Sequence, residues 1–313
     1  MFAAVRRFLS VLVLLASLGG CGGDDPAGTS EGAGRGTIAL DFQPNAVHAG
    51  IYAAEGLEIR VPSASTDSLK LLAAGRADMS VVDIHDLGLA RQEGADVVGV
   101  GALVQRPLAA VIARGGEVRR PRDLEGRRVG VTGLPSDDAV LRAVMEADGG
   151  DFGRVRRITI GFSAVPSLIA GRVDAVVSFW NAEGVALRER GVRTREFRVD
   201  EFGAPRYPEL VLAVRRETLD ERVELVRGML DAIATGTRAA LRDPGTAVTE
   251  LARVGGSDEA LTRAQLEAVA PALAPPVTLD REALAGWAKF DAEFGILREP
   301  PDVGTAFALD ARG

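Results

Sequence analysis

Apolar and polar positions along this chain alternate in short runs with two different periods. TIALDF (Thr37–Phe42) alternates as a strand does, Pro44-Asn45 breaks it, and AGIYAAEG follows with helical spacing that stops at Gly56. RRVGVTG (Arg127–Gly133) reads as a second such strand, with a helix from Ser136 to about Glu146 after it. LAAGRADMSVV from Leu72 and LIAGRVDAVVS from Leu168 then match each other. Each reads as a helix end, a Gly-Arg turn, an Asp and an apolar strand, with Gly75 and Gly171 where a helix terminus wants a left-handed residue. From Leu219 onward the pattern is helical, with Asp243-Pro244 as a stop and Asp280 as a cap before REALAGWAKF.

The matching segments lie too far apart for a solenoid, whose period is roughly 20–50 residues. They fit two similar α/β lobes, each running strand, helix, strand, and such a pair holds its ligand between them. The expected division is lobe I from residues 37–108 and 212–313, and lobe II from 109–211. PLAAVIAR (Pro107–Arg114) and PELVLAVR (Pro208–Arg215), which resemble each other, are the expected hinge strands.

The first residues follow another grammar. Arg6 and Arg7 precede an apolar run from Phe8 to Leu18 that is too short for a permanent membrane span and has the form of a secretory signal. The run closes on LGGC, a lipobox-like ending, so residues 1–20 are expected to be removed and Cys21 to carry the lipid. Residues 21–36, rich in Gly and small polar side chains, read as a flexible tether. This places the protein on the extracytoplasmic face of a cell membrane, held by lipid.

With 313 residues, 47% of them apolar, the chain has core enough for two lobes. Losing Arg6 and Arg7 takes the formal charge from −7 to −9, which leaves no electrostatic case for nucleic acid. Cys21 is the only cysteine, so no thiol remains for a disulfide or a nucleophile.

Four strand ends should meet at one cleft, because ligands of open α/β sheets sit beyond the carboxyl ends of strands. They are Asp41-Phe42-Gln43-Pro44-Asn45, Asp83-Ile84-His85-Asp86, Gly133 to Asp138 and Phe179-Trp180-Asn181-Ala182-Glu183. Carboxylates, amides and rings with almost no positive charge suit a flat neutral or cationic molecule with N–H donors, and repel phosphate or sulfonate. Ser136, Asp137 and Asp138 also suit a helix start, and Asp78 and Asp174 in the repeated turns read as structural. His48 and His85 lack helical ligand spacing, so no metal site is expected, and no P-loop, nucleophile elbow or dinucleotide fingerprint is present.

At these residues a family is recognisable. LDFQPNAVHAGIYAAEGLEI resembles the LDWxPNxxHxGxYxA signature of the NMT1/THI5-like proteins. GVTGLPSDDAVLRAVMEADGGD, GFSAVPSLIAGRVDAVVSFWNAEGVALRERG and FRVDEFGAPRYPELVLAV resemble its later blocks, in order, from about Thr37 to Arg215. The resemblance implies a two-lobed type II periplasmic-binding-protein fold and a solute receptor of an ABC importer, with permease and ATPase partners. It implies a pyrimidine precursor of thiamine as ligand, with riboflavin or another small heteroaromatic solute as alternatives, no catalytic residue, no cofactor, and a monomer.

By residue, it implies stacking by Trp180, a carboxylate contact from Glu183, and polar contacts from Asn45, His48, Asp41 and Tyr207. The family's Trp is Phe42 here, and the SVVDIHDLGLAR segment departs from the family pattern by adding Asp83, His85 and Asp86 to the wall. Together with Ser136 and Asn181 these make the expected ligand-binding set. Eukaryotic members are pyrimidine synthases that use a lysine for pyridoxal phosphate, a histidine and a cysteine-rich iron site. The loop after Asp78 has no lysine and GAPRYPELVL no cysteine, so a synthase is the least favoured reading. A degenerate, partner-binding lipoprotein stands between these.

Overall fold

Strands come in two sets in a computed structural model that describes residues 36–63 and 67–312. In chain order they are β1 (Gly36–Ala39), β2 (Leu57–Arg60), β3 (Met79–Asp83), β4 (Val97–Val104), β5 (Ala109–Arg114), β6 (Arg128–Val131), β7 (Arg156–Thr159), β8 (Ala175–Phe179), β9 (Thr194–Arg198) and β10 (Leu210–Arg215). One sheet has the order β2-β1-β3-β10-β4 and the other β7-β6-β8-β5-β9. In the first, β1 pairs parallel with β2 and β3, while β10 runs antiparallel between β3 and β4. The second repeats this arrangement, with β6 parallel to β7 and β8 and with β5 antiparallel between β8 and β9. Each sheet with its helices forms one lobe.

The repeated turns are equivalent in three dimensions. Gly75 and Gly171 have φ of 65° and 66°, a left-handed conformation that side chains with a Cβ resist. Asp78 Oδ2 accepts the Thr37 N–H of β1 at 2.9 Å, and Asp174 Oδ2 accepts the Arg128 N–H of β6 at 2.9 Å. Each Asp therefore ties its own turn to the first strand of its own sheet, a structural task in both lobes.

The two stretches expected as hinge strands lie inside the sheets. β5 and β10 occupy the same interior antiparallel position, fourth of five, in their respective sheets, which is why their sequences resemble each other. The chain crosses between sheets just before each of them, through residues 105–108 and again through 199–209. Side chains tie the two crossings together. Arg106 pairs with Asp200 at 2.7 Å, and the buried Glu209 accepts the Leu108 N–H through Oε2 at 2.6 Å.

The C-terminal helices cover the first sheet. The long expected helix is broken at Arg222 into Arg216–Glu221 and Val223–Arg242. Val226, Met229, Leu230, Ile233, Ala234 and Thr237 form its buried stripe at helical spacing. It approaches the helix Ala49–Tyr52 so closely that a Cβ on Gly50 would lie 2.9 Å from Thr237 Cα. Asp280 caps the helix Arg281–Glu293 by accepting the Glu282 and Ala283 N–H groups, as the sequence predicts. No helix among the described residues is long and apolar enough to cross a membrane.

Candidate functional site

Where the sheets meet, the carboxyl ends of β3, β6 and β8 and the start of β5 enclose a cavity of about 120 Å³. Val140, Val177, Phe162 and Phe179 supply apolar wall, and no Lys or Arg lines it. Asp83, His85, Ser136 and Glu183, all in the expected set, face this space together.

Glu183 sits on a wide helical turn, Trp180–Gly184, that directly follows β8. Turns of this kind often mark functional sites. Its Oε2 accepts the Phe179 N–H at 3.1 Å, and burial pushes its carboxyl above the usual range. Ser136 and Asp137 open the helix Pro135–Ala147. Asp137 Oδ2 accepts the Thr132 hydroxyl and the Gly133 and Leu134 N–H groups at 2.7–3.0 Å, so it secures the helix start and also lines the cavity.

Asp83 ends β3 and caps the next helix through the His85 N–H at 2.8 Å. His85 is buried with both ring nitrogens engaged, Nδ1 with Asp291 Oδ1 at 2.7 Å and Nε2 with the Tyr207 hydroxyl at 3.3 Å. Burial opposes charge on this ring, but Asp291 outweighs it and carries the pKa up to about 9. The imidazolium thus spends its protons away from the cavity. Burial, reinforced by the Asp83 charge, raises Asp86 to about 7 and Glu209 to about 8. Among the described residues no group of three His, Cys, Asp or Glu has the geometry to hold a metal ion.

The other expected residues lie elsewhere. Trp180 is 2% exposed and off the cavity wall. Its indole N–H donates to the Pro107 carbonyl at 3.0 Å and its backbone N–H to the Leu108 carbonyl at 3.0 Å. Arg198 stands over its ring, with the guanidinium carbon 4.1 Å from the centroid, so that face is taken. Asn181 beside it is buried and also off the wall.

Asn45 caps the turn Ala46–His48, accepting the Val47 N–H and donating to the Gln43 carbonyl. His48, fully buried, accepts the Asn45 N–H and pairs with Asp41 Oδ1 at 2.7 Å. Asp41, Asn45 and His48 therefore brace one another. Tyr207 is buried against His85 and does not reach the cavity. Phe42 does meet the site indirectly, because its ring stacks at 5.3 Å on Phe162, a wall residue of the opposite lobe.

Sequence reasoning missed Glu209 and Phe162, and named Phe179 at the cleft without giving it a ligand role. The available signal for Glu209 was an acidic residue opening an otherwise apolar strand, where the matching stretch has Leu108. Phe162 carried no signal beyond an aromatic after glycine.

Two lobes joined by two crossings, with a polar-edged cavity at the join, are the architecture of a type II substrate-binding protein. The periplasmic aliphatic sulphonate binding protein SsuA of Escherichia coli superposes with a TM-score of 0.72 over 86% of this chain and 96% of its own, at 16% identity. A Bordetella bronchiseptica protein superposes at 0.70 over 89% and 96%, at 18% identity. These likenesses define the fold. The particular family follows from sequence: the model described as NMT1/THI5 like matches residues 45–247, and the chain belongs to that family. The formylaminopyrimidine-binding protein of Halalkalibacterium halodurans is 31% identical over 80% of this chain and 78% of its own. A 4-amino-5-hydroxymethyl-2-methylpyrimidine phosphate synthase of Saccharomyces cerevisiae is 25% identical over 66% and 67%.

Proposed function

We propose that this protein is the extracytoplasmic solute receptor of an ABC importer and that its ligand is a small aminopyrimidine of the thiamine-precursor type. The observation that carries this reading is the cavity itself, a half-apolar pocket with Glu183 at its edge, rings in its wall and no Lys or Arg. A carboxylate there can accept the amino N–H of a pyrimidine while Phe179 or Phe162 covers the ring. The formylaminopyrimidine named for the 31%-identical relative has this chemistry.

Size bears on the alternatives. An apolar cavity of about 150 Å³ takes one benzene-sized ring. At about 120 Å³ the present cavity suits a single ring and disfavours the three fused rings of riboflavin. A sulfonate would meet carboxyls, no Lys or Arg, and a His85 ring whose nitrogens are already engaged, despite the fold shared with SsuA. The synthase reading needs a lysine amine, but Lys70 pairs with Asp67 at 2.9 Å and Lys289 is exposed on the helix Arg281–Glu293. A purely partner-binding role would leave the acid-edged cavity without a use.

We further propose that Cys21, which lies outside the described residues, carries the lipid anchor, and that the lobes close as rigid bodies about the crossings at residues 105–108 and 199–209. Calorimetric titration of the purified chain with hydroxymethyl- and formylaminomethyl-pyrimidine, riboflavin and a small sulfonate tests the ligand. Glu183→Gln should weaken pyrimidine binding about 10- to 100-fold, the worth of one charge-assisted hydrogen bond. Tight sulfonate binding without pyrimidine binding would sink the proposal.

A further inference from the structure

Besides Glu183, the cavity has a second acidic edge that the pyrimidine's amino group does not need. Asp83 and Glu209 both line it, and the pairing of Asp83 with Leu210 sets them side by side. The Ile84 N–H donates to the Glu209 carbonyl at 3.0 Å, which fixes that juxtaposition. Both carboxyls receive backbone amides only, Asp83 from His85 and Asp86, and Glu209 from Leu108 and Ala109. Among the described residues no side-chain donor reaches either one. The nearby His85 cation is turned toward Asp291 and Tyr207. Two carboxyls thus face a space that no Lys or Arg lines, and the His85 cation on its wall spends both ring N–H groups elsewhere.

Resting on the receptor reading above, we propose that Asp83 and Glu209 form an anionic pole that selects, among single-ring heteroaromatic solutes, those bearing a protonated amine arm. The ring edge meets Glu183, and the ammonium lies between Asp83 and Glu209. Raised to about 8, Glu209 is protonated in the empty cavity at neutral pH. A bound ammonium favours its carboxylate, so binding releases the Glu209 proton to solvent and leaves an ion pair. The charged and titratable groups that act on it are Asp83 at the end of β3, the His85 cation in the helix that follows, and Tyr207 on its own crossing; Asp86, Asp200 and Asp291 act on these neighbours in turn, and Glu183 lines the same cavity.

The test uses three 4-amino-2-methylpyrimidines that differ only at C5, with aminomethyl, hydroxymethyl or formylaminomethyl arms, titrated into the purified chain. Benzylamine and benzyl alcohol form a second pair without the pyrimidine edge. At pH 7 the aminomethyl compound should bind at least about 10-fold more tightly than the hydroxymethyl one, a step of one decade in Kd. It alone should release close to one proton, read from titrations in buffers of different ionisation enthalpy. Glu209→Gln keeps an acceptor for the Leu108 N–H but removes the charge, so it should bring the two arms near parity and abolish the proton release. Asp83→Asn should narrow the ratio as well.

Equal or tighter hydroxymethyl binding without proton release overturns the anionic pole and leaves the pyrimidine receptor standing. If no pyrimidine binds, but benzylamine is preferred over benzyl alcohol in a Glu209-dependent way, the pole stands and the pyrimidine reading falls. Absence of preference in both pairs overturns the pole. The wild-type ratio and proton count need no variant, so a misfolded substitution cannot obscure the result.

Discussion

Trp180→Ala should unfold the protein more readily rather than act first on ligand. The indole is 2% exposed, donates to the Pro107 carbonyl at 3.0 Å, and has Arg198 and Arg106 at 4.1 and 5.6 Å from its ring centroid. Truncating a buried Trp to Ala costs about 3–5 kcal/mol. With an m value of roughly 3 kcal/mol/M in urea, the unfolding midpoint should fall by about 1–1.7 M. Trp180→Phe retains a ring and loses only the N–H, so it should cost about 1–3 kcal/mol by leaving a buried carbonyl without its donor. Equilibrium urea unfolding followed by circular dichroism measures both, with ligand titrations on the folded fraction. A Trp180→Ala protein that unfolds at the wild-type midpoint yet binds no ligand would refute the packing argument and restore Trp180 as a stacking platform.

Stability should fall as pH rises from 6 to 9. The folded pKa of His85, about 9, lies above its ordinary 6.5, so its contribution is complete below pH 6.5 and lost as pH climbs through 9; Glu209, at about 8, acts in the same direction. The lowered pKa values of Asp148 and Asp174 matter only in acid, outside this window. Melting temperatures across the range check the sign, Asp291→Asn should flatten the slope, and stability that rises with pH would contradict it. Cys21→Ser should release the protein from the membrane fraction, because the lipid is the expected anchor; firm retention of the variant would exclude the lipobox reading. Small-angle scattering with and without a bound pyrimidine should show compaction on closure, and an unchanged profile in a protein that starts open would count against hinge motion.

The two-lobe plan was legible because its repeat is local. Gly75 and Gly171, with Asp78 and Asp174 behind them, do the same job at the same chain distance from a strand, so the pattern survives in sequence. Asp83, His85, Ser136 and Glu183 were legible for a related reason, since each closely follows a strand whose end can be read from apolar alternation. Periodicity does not say which way a side chain turns once its strand has ended. Asp41, Asn45 and His48 turn on one another, and Trp180 turns onto the first crossing. Glu209 was hidden because its neighbours, Asp83 and Leu108, are each more than a hundred residues away, with β10 inserted between β3 and β4.

That insertion also governs how the protein is made. The second sheet draws all its strands from residues 109–198 and can assemble as soon as that stretch has emerged. In the first sheet, β3 and β4 must wait, facing each other across an empty lane, until residues 210–215 arrive. Unpaired edges of this kind recruit other strands, and slow, long-range pairings prolong their exposure. A chain cut after Arg198 would therefore keep one finished sheet and carry a gap between β3 and β4 in the other. Its fate is aggregation through that gap, not survival as a smaller receptor.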